Sequence, residues 1–225
     1  MTEHRVRVLA IGAHPDDIEL GCGGALLRHA AVGDEIMILV MTDGGRGRLD
    51  QMPRGQEQEV AARQLGADLR WGGYADCRVP EGADAVGVID DVLGATGADI
   101  IYTHASNDTH QDHRATAAAS LAAGRRVPTI LQYETPSTLH FDPTVFVDID
   151  DLLDQKLELV RAHLSQVLRG GRVDLEALEA QARFRGYQGR VHAAEGFELA
   201  RLTWEPGRSL QTPAVVGSQL ARVVS

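Results

Sequence analysis

The 225-residue chain predicts an α/β fold: a doubly wound, mostly parallel sheet in one domain spanning 1-225. Three observations predict it. Strand-length apolar runs alternate with helix-length segments from the N-terminus onward, the pattern of successive βα units. The runs themselves are nearly unbroken, as in Ile36-Met37-Ile38-Leu39-Val40, which suits strands covered by helices on both faces. No Pro/Ser/Gly-rich linker or change of composition divides the chain, and its length supports one sizeable core.

The first strand is read over Val6 to Ile11, and the first helix over Ile18 to Val32. Pro15 suits a helix start there, and Asp16 and Asp17 favour the positive end of the helix dipole. Gly21-Cys22-Gly23-Gly24 read as small residues for close packing on the sheet. A strand over Glu35 to Met41, a helix over Gly55 to Leu65 and a strand over Asp68 to Trp71 follow. Next come a helix over Ala85 to Ala95, a strand over Ile100 to Thr103 and an alanine-rich helix over Ala115 to Ala123. Later strands are read at Thr129 to Tyr133 and Val145 to Ile149. Leu152, Leu153, Leu157, Val160 and Leu164 have the spacing of an amphipathic helix over Asp151 to Leu168. A partner helix runs from Leu175 to Tyr187.

The formal net charge of -10 opposes binding to nucleic acid or an anionic membrane, and favours a neutral or cationic small molecule. There is no charged-then-apolar leader and no apolar run of about 18 residues, so a cytoplasmic protein with no membrane partner is expected. Assembly with further copies of the chain is left open. Cys22 and Cys77 lack the paired spacing of a zinc knuckle or redox motif.

Two clusters carry chemistry. Ala13-His14-Pro15-Asp16-Asp17 stands at the end of the first strand and places a nitrogen ligand, an oxygen ligand and a spare base together, the parts that metal-dependent hydrolysis needs. Helix capping accounts equally for the acids, but not for His14. The second cluster, Asp108-Thr109-His110-Gln111-Asp112-His113, follows the strand at Ile100. In a helical first turn His110 and His113 share a face, although both could be surface histidines. Ligands of doubly wound sheets bind beyond the carboxyl ends of the strands, where both clusters fall.

These segments resemble the LmbE-like (PIG-L) zinc-dependent N-deacetylases, which remove acetyl groups from N-acetylglucosamine-type substrates. The family's A-H-x-D-D matches Ala13 to Asp17, its H-x-D-H matches His110 to His113, and its R-x-x-E with a following alanine and L-G matches Arg54, Glu57, Ala61, Leu65 and Gly66. His163-Leu164-Ser165-Gln166 is similar to its H-x-S-Q, and Ala194-Glu195-Gly196-Phe197 to its late A-E-x-F. The resemblance implies a Rossmann-like fold with a Zn2+ ion, Fe2+ being the alternative, held by His14, Asp17 and His113. It implies Asp16 as the general base that takes a proton from the attacking water. His110 follows as the acid and oxyanion stabiliser, protonated and oriented by Asp112, which would raise its pKa. Arg54 would meet sugar hydroxyls or an anionic group, Asp76 would bind substrate from a loop, and the substrate would be a small N-acetylated sugar or conjugate.

Two positions depart from the family pattern. Gly45 replaces an acid in the loop after the second strand, and His192 stands where an aromatic residue is common. Two other readings are kept: a zinc amidase for a different amide, such as a thiol S-conjugate, and a nucleotide-binding module. The second is opposed by the acids at the first helix start, where pyrophosphate would need bare amides, and by the lack of G-x-G-x-x-G.

Overall fold

The structure is a computed structural model and describes residues 5–45, 54–167 and 173–203. In chain order the elements are β1 (Arg7–Gly12), α1 (Asp17–Ala31), β2 (Glu35–Thr42), α2 (Arg54–Leu65), β3 (Asp68–Tyr74), α3 (Ala83–Thr96), β4 (Ile100–His104) and α4 (Gln111–Ala123). Then follow β5 (Thr129–Tyr133), β6 (Val145–Asp148), α5 (Leu153–Arg161), α6 (Leu164–Val167), α7 (Leu175–Gly189) and β7 (Ala194–Leu202).

The seven strands form one sheet in the order β3-β2-β1-β4-β5-β7-β6. β1 to β5 pair in parallel, whereas β7 runs antiparallel to both β5 and β6. Alternating residues of each strand point to opposite faces, and here both faces are dry. Val8, Ala10, Ile36, Ile38 and Val40 pack with Ile18, Leu26, Ala61, Leu65 and Leu159 of α1, α2 and α5. Leu9, Ile11, Leu39 and Met41 pack with Ile89, Ala115 and Ala119 of α3 and α4. Burial on two sides is why these strands read as unbroken apolar runs. The winding reverses at β1, whose neighbours are β2 and β4, and the crevice opens at that switch point.

The first helix is held unusually close. A Cβ on Gly21 would stand 2.1 Å from the ring of Tyr133, whose hydroxyl donates to the Ile11 carbonyl at 2.7 Å. α1 departs from helical geometry at Cys22, with φ -140°. The amides of Gly24 and Ala25 donate instead to the Glu195 carboxylate, both at 2.7 Å. Lys156 Nζ closes the pair, 2.5 Å from Glu195 Oε1 and 2.9 Å from the Leu20 carbonyl. The late A-E-x-F segment thus completes the hydrogen bonding of the first helix.

Two expectations are corrected. Ala194–Leu202 forms β7, a strand absent from the sequence reading, which inserts between β5 and β6. The single helix expected from Asp151 is broken: α5 ends at Arg161, and α6 restarts at Leu164. The break lets Ser165 give both its amide and its hydroxyl to Glu57, at 2.7 and 2.6 Å. The expected end at Leu168, and most of the loop after β2, lie outside the described residues. His192 is exposed in the turn before β7.

Candidate metal and catalytic centre

The first cluster follows β1, and the second follows β4 and enters α4. Both line one cavity of about 320 Å³ with Asp16, Arg54, Asp76, Cys77, Thr135 and Gln166. His14, Asp16, Asp17, Arg54, Asp76, Asp112 and His113 are all buried, whereas His110 is half-buried. The structure therefore brings every expected site residue to this cavity or directly behind it.

Asp17 sits between the imidazoles. Its Oδ2 accepts the His14 backbone amide at 2.7 Å and lies 3.4 Å from His14 Nδ1, while its Oδ1 lies 3.4 Å from His113 Nε2. Three sets of ligand atoms lie mutually within 4.8 Å: His14 with His110 and His113; Asp17 with His104 and His113; and His14 with Asp76 and Asp112. His14 and His113 each belong to two of these sets, and Asp17 shares the second with His113. Asp108 braces the last of these from behind, its Oδ2 lying 3.1 Å from His113 Nδ1, and it is itself held by Thr135 and Thr138 at 3.2 and 3.0 Å.

Charge is unevenly distributed. Asp16, Asp17, Asp76, Asp108 and Asp112 are buried together, and Arg54 is the guanidinium among them. Burial alone would lower the pKa of His14, but its contacts with Asp112, Asp17 and Asp76 override this and push it up to about 12. Burial likewise opposes ionisation of Asp17, yet the surrounding imidazoles, His113 first, hold it well below the usual carboxylate range. A site that stabilises positive charge this strongly, with mixed nitrogen and oxygen donors, fits a divalent transition metal. It is equally unsuited to a phosphate, which opposes the nucleotide reading.

Asp16 has a different environment. Its backbone is left-handed, with φ 100° and ψ -26°, a conformation costing about 1–3 kcal/mol in a residue other than glycine. Its carboxylate takes a hydrogen bond from Arg54 at 2.9 Å, and the same guanidinium nitrogen donates to the Pro15 carbonyl. Burial pushes its pKa up to about 6, against Arg54 and with Asp17.

Three expected roles change with these contacts. Arg54, expected to meet substrate, is engaged by Asp16 and Pro15. The Asp112 carboxylate reaches His14 Nε2 at 3.1 Å and the amides of Cys77 and Val79 at 2.7 and 3.3 Å, not the His110 ring. What reaches His110 is the Asp112 backbone amide, which donates to Nδ1 at 3.2 Å because His110 caps α4. Burial, then the positive charges of His14 and His113, lower the His110 pKa. Because Nδ1 accepts the Asp112 amide, the ring proton in this arrangement sits on Nε2, where a doubly protonated ring was expected. Asp76 lies 3.3 Å from His14 Nε2.

His104, at the end of β4, could approach the pocket, but the sequence reading takes it as a histidine satisfied by backbone and gives it no site role. It is fully buried, with Nε2 3.0 Å from the Ala13 amide and 3.1 Å from Asp17 Oδ2. Its ring stacks on His113 with centroids 4.1 Å apart. Burial, then the charge of His113, push its pKa down to about 4. Its position at the carboxyl end of β4 was the available signal.

A doubly wound sheet with imidazoles and carboxylates converging at its switch point defines the class: an α/β protein with a candidate metal centre. Residues 9–124 match the family model described as PIG-L, GlcNAc-PI de-N-acetylase, and the chain belongs to that family. It is 39% identical over 170 residues to the uncharacterized deacetylase YaiS of Escherichia coli, covering 72% of this chain and 92% of that protein. It is 27% identical over 188 residues to the diacetylchitobiose deacetylase of Thermococcus kodakarensis, covering 71% and 70%. The N,N'-diacetylchitobiose deacetylase of Pyrococcus horikoshii, solved with an inhibitor, superposes with a TM-score of 0.74 at 27% identity, covering 85% and 82%.

Proposed function

We propose that the chain is a zinc-dependent N-deacetylase acting on a small N-acetylglucosamine-type sugar or conjugate. The observation that carries this reading is the juxtaposition of two imidazoles and a strongly ionised Asp17 with a second carboxylate, Asp16, of opposite electrostatic character. Adjacent carboxyls whose surroundings push their pKa values apart divide into ligand and base. The diacetylchitobiose deacetylases among the relatives support the substrate class.

His14, Asp17 and His113 would hold the ion, with Asp108 orienting His113 from behind. When bound, zinc supplies Lewis-acid polarisation of the scissile carbonyl. Asp16 takes the proton of the attacking water, and its pKa near 6 keeps it ionised at neutral pH while close enough to accept. As the carboxylic acid it then holds the proton that the leaving nitrogen requires. His110 donates from Nε2 to the developing oxyanion. A neutral ring suits that role, because a further cation between His14 and His113 would lower the His110 pKa in the same direction. Arg54 orients Asp16.

A screen of N-acetylglucosamine, its disaccharide, alkyl glycosides and thiol conjugates, read by release of free amine, tests this reading. The expected result is metal-dependent release from one or more sugar substrates. Release confined to amides without a sugar would replace the substrate class and leave the metal chemistry standing. No helix among the described residues is long and apolar enough to cross a membrane.

A further inference from the structure

Glu19, Gln58 and His163 are fully buried polar residues that take no part in the chemistry above. Such groups are costly inside a protein unless their partners are satisfied, and these connect to Asp16. The Asp16 amide points at Gln58 Oε1, 3.3 Å away. Gln58 Nε2 donates to Glu19 Oε1 at 2.7 Å, and Glu19 Oε2 lies 3.1 Å from His163 Nε2. The direction of the chain follows from its geometry: the Asp16 amide can only donate, so Gln58 turns its oxygen to Asp16 and its nitrogen to Glu19. The Gln58 amide therefore has one satisfactory orientation.

The same helix controls the other end of Asp16. Arg54, one turn before Gln58 on α2, holds the Asp16 carboxylate. Between them Glu57 binds Ser165, docking the segment that carries His163 against α2. The R-x-x-E and H-x-S-Q motifs are thus two halves of one support for a residue whose backbone is left-handed.

We propose that Gln58, oriented by Glu19 and His163, is a positioning residue that fixes the backbone of Asp16 and with it the direction of the Asp16 carboxylate. The proposal rests on the reading of Asp16 as the base. That reading fails if Asp16→Asn retains full activity, whereas the variants below keep Asp16 intact.

The test is a charge-conserving exchange, assayed with N-acetylglucosamine for kcat and KM, with bound metal by elemental analysis and hydrogen exchange over the peptide containing Asp16. Gln58→Glu alone sets two carboxylates face to face. It should lower kcat about 10- to 100-fold, with KM within about 2-fold, bound metal unchanged and faster exchange at Asp16. Glu19→Gln alone should cost less. Combining the two lets position 58 accept from both the Asp16 amide and the new amide at position 19. The pair should regain about 10-fold of the kcat lost by Gln58→Glu. Wild-type kcat in Gln58→Glu, or a folded, metal-loaded pair no more active than Gln58→Glu, overturns the proposal. Should Gln58→Glu not fold, Gln58→Met replaces it, and an unchanged kcat and exchange rate there overturn the proposal equally.

Discussion

Asp16→Asn is expected to lower kcat by about 10²- to 10⁴-fold, the range for loss of a general base, while leaving the protein folded and its metal content unchanged. The substitution preserves volume and leaves Oδ1 able to accept from Arg54, so the surroundings of the left-handed turn persist. What disappears is the lone pair that takes the proton of water. Asp17→Asn is expected to behave differently, because that carboxylate touches both His14 and His113. Its loss should appear first as lower metal occupancy. Elemental analysis beside a kinetic assay separates the two, and a fully active Asp16→Asn variant would remove Asp16 from the chemistry.

Glu195→Ala is expected to be the most destabilising single change, costing about 3–5 kcal/mol. The carboxylate lies buried against Lys156 and accepts the amides released where α1 departs from helical geometry at Cys22. Removing it leaves a buried ammonium and unpaired amides inside the protein, the combination that makes breaking such a pair costly. Denaturant unfolding should show the full loss, with a fall in melting temperature on the order of 10 °C. Adding Lys156→Met to the variant should recover part of it, because the stranded charge is then gone. A loss below about 1 kcal/mol would mean that the amides find other partners.

The parallel half of the sheet was legible because both faces of β1, β2, β4 and β5 are buried, which writes continuous apolar runs into the sequence. β7 was hidden for the opposite reason. It begins Ala-Glu-Gly, its Glu195 serves α1, and beyond Phe197 it alternates little and is mostly half-buried or exposed. The break after α5 was equally illegible, since the amphipathic spacing of Leu157, Val160 and Leu164 continues across it. What ends the helix is the tertiary pairing of Ser165 with Glu57.

The site follows the same division. His14, Asp17, His110 and His113 stand in short local clusters at strand ends, where their spacing raised a metal site and the family resemblance supplied their roles. Asp108 stood inside the second cluster without a role, because its partner His113 is reached through the helix start that follows. Glu19 on α1, Gln58 on α2 and His163 in the link between α5 and α6 meet only when the sheet has folded. Asp112 shows the limit most clearly: adjacency suggested that it serves His110, whereas the first turn of α4 aims its carboxylate at His14.

A divalent ion at His14, Asp17 and His113 is expected to enable amide hydrolysis. The most direct measurement is amine release from N-acetylglucosamine or its glycoside by protein stripped with a chelator and then titrated with zinc. The stripped protein should release no amine, and activity should recover with zinc to saturation at about one ion per chain, with His113→Ala failing to recover. Undiminished release from the metal-free protein, or equal recovery in His113→Ala, would contradict it.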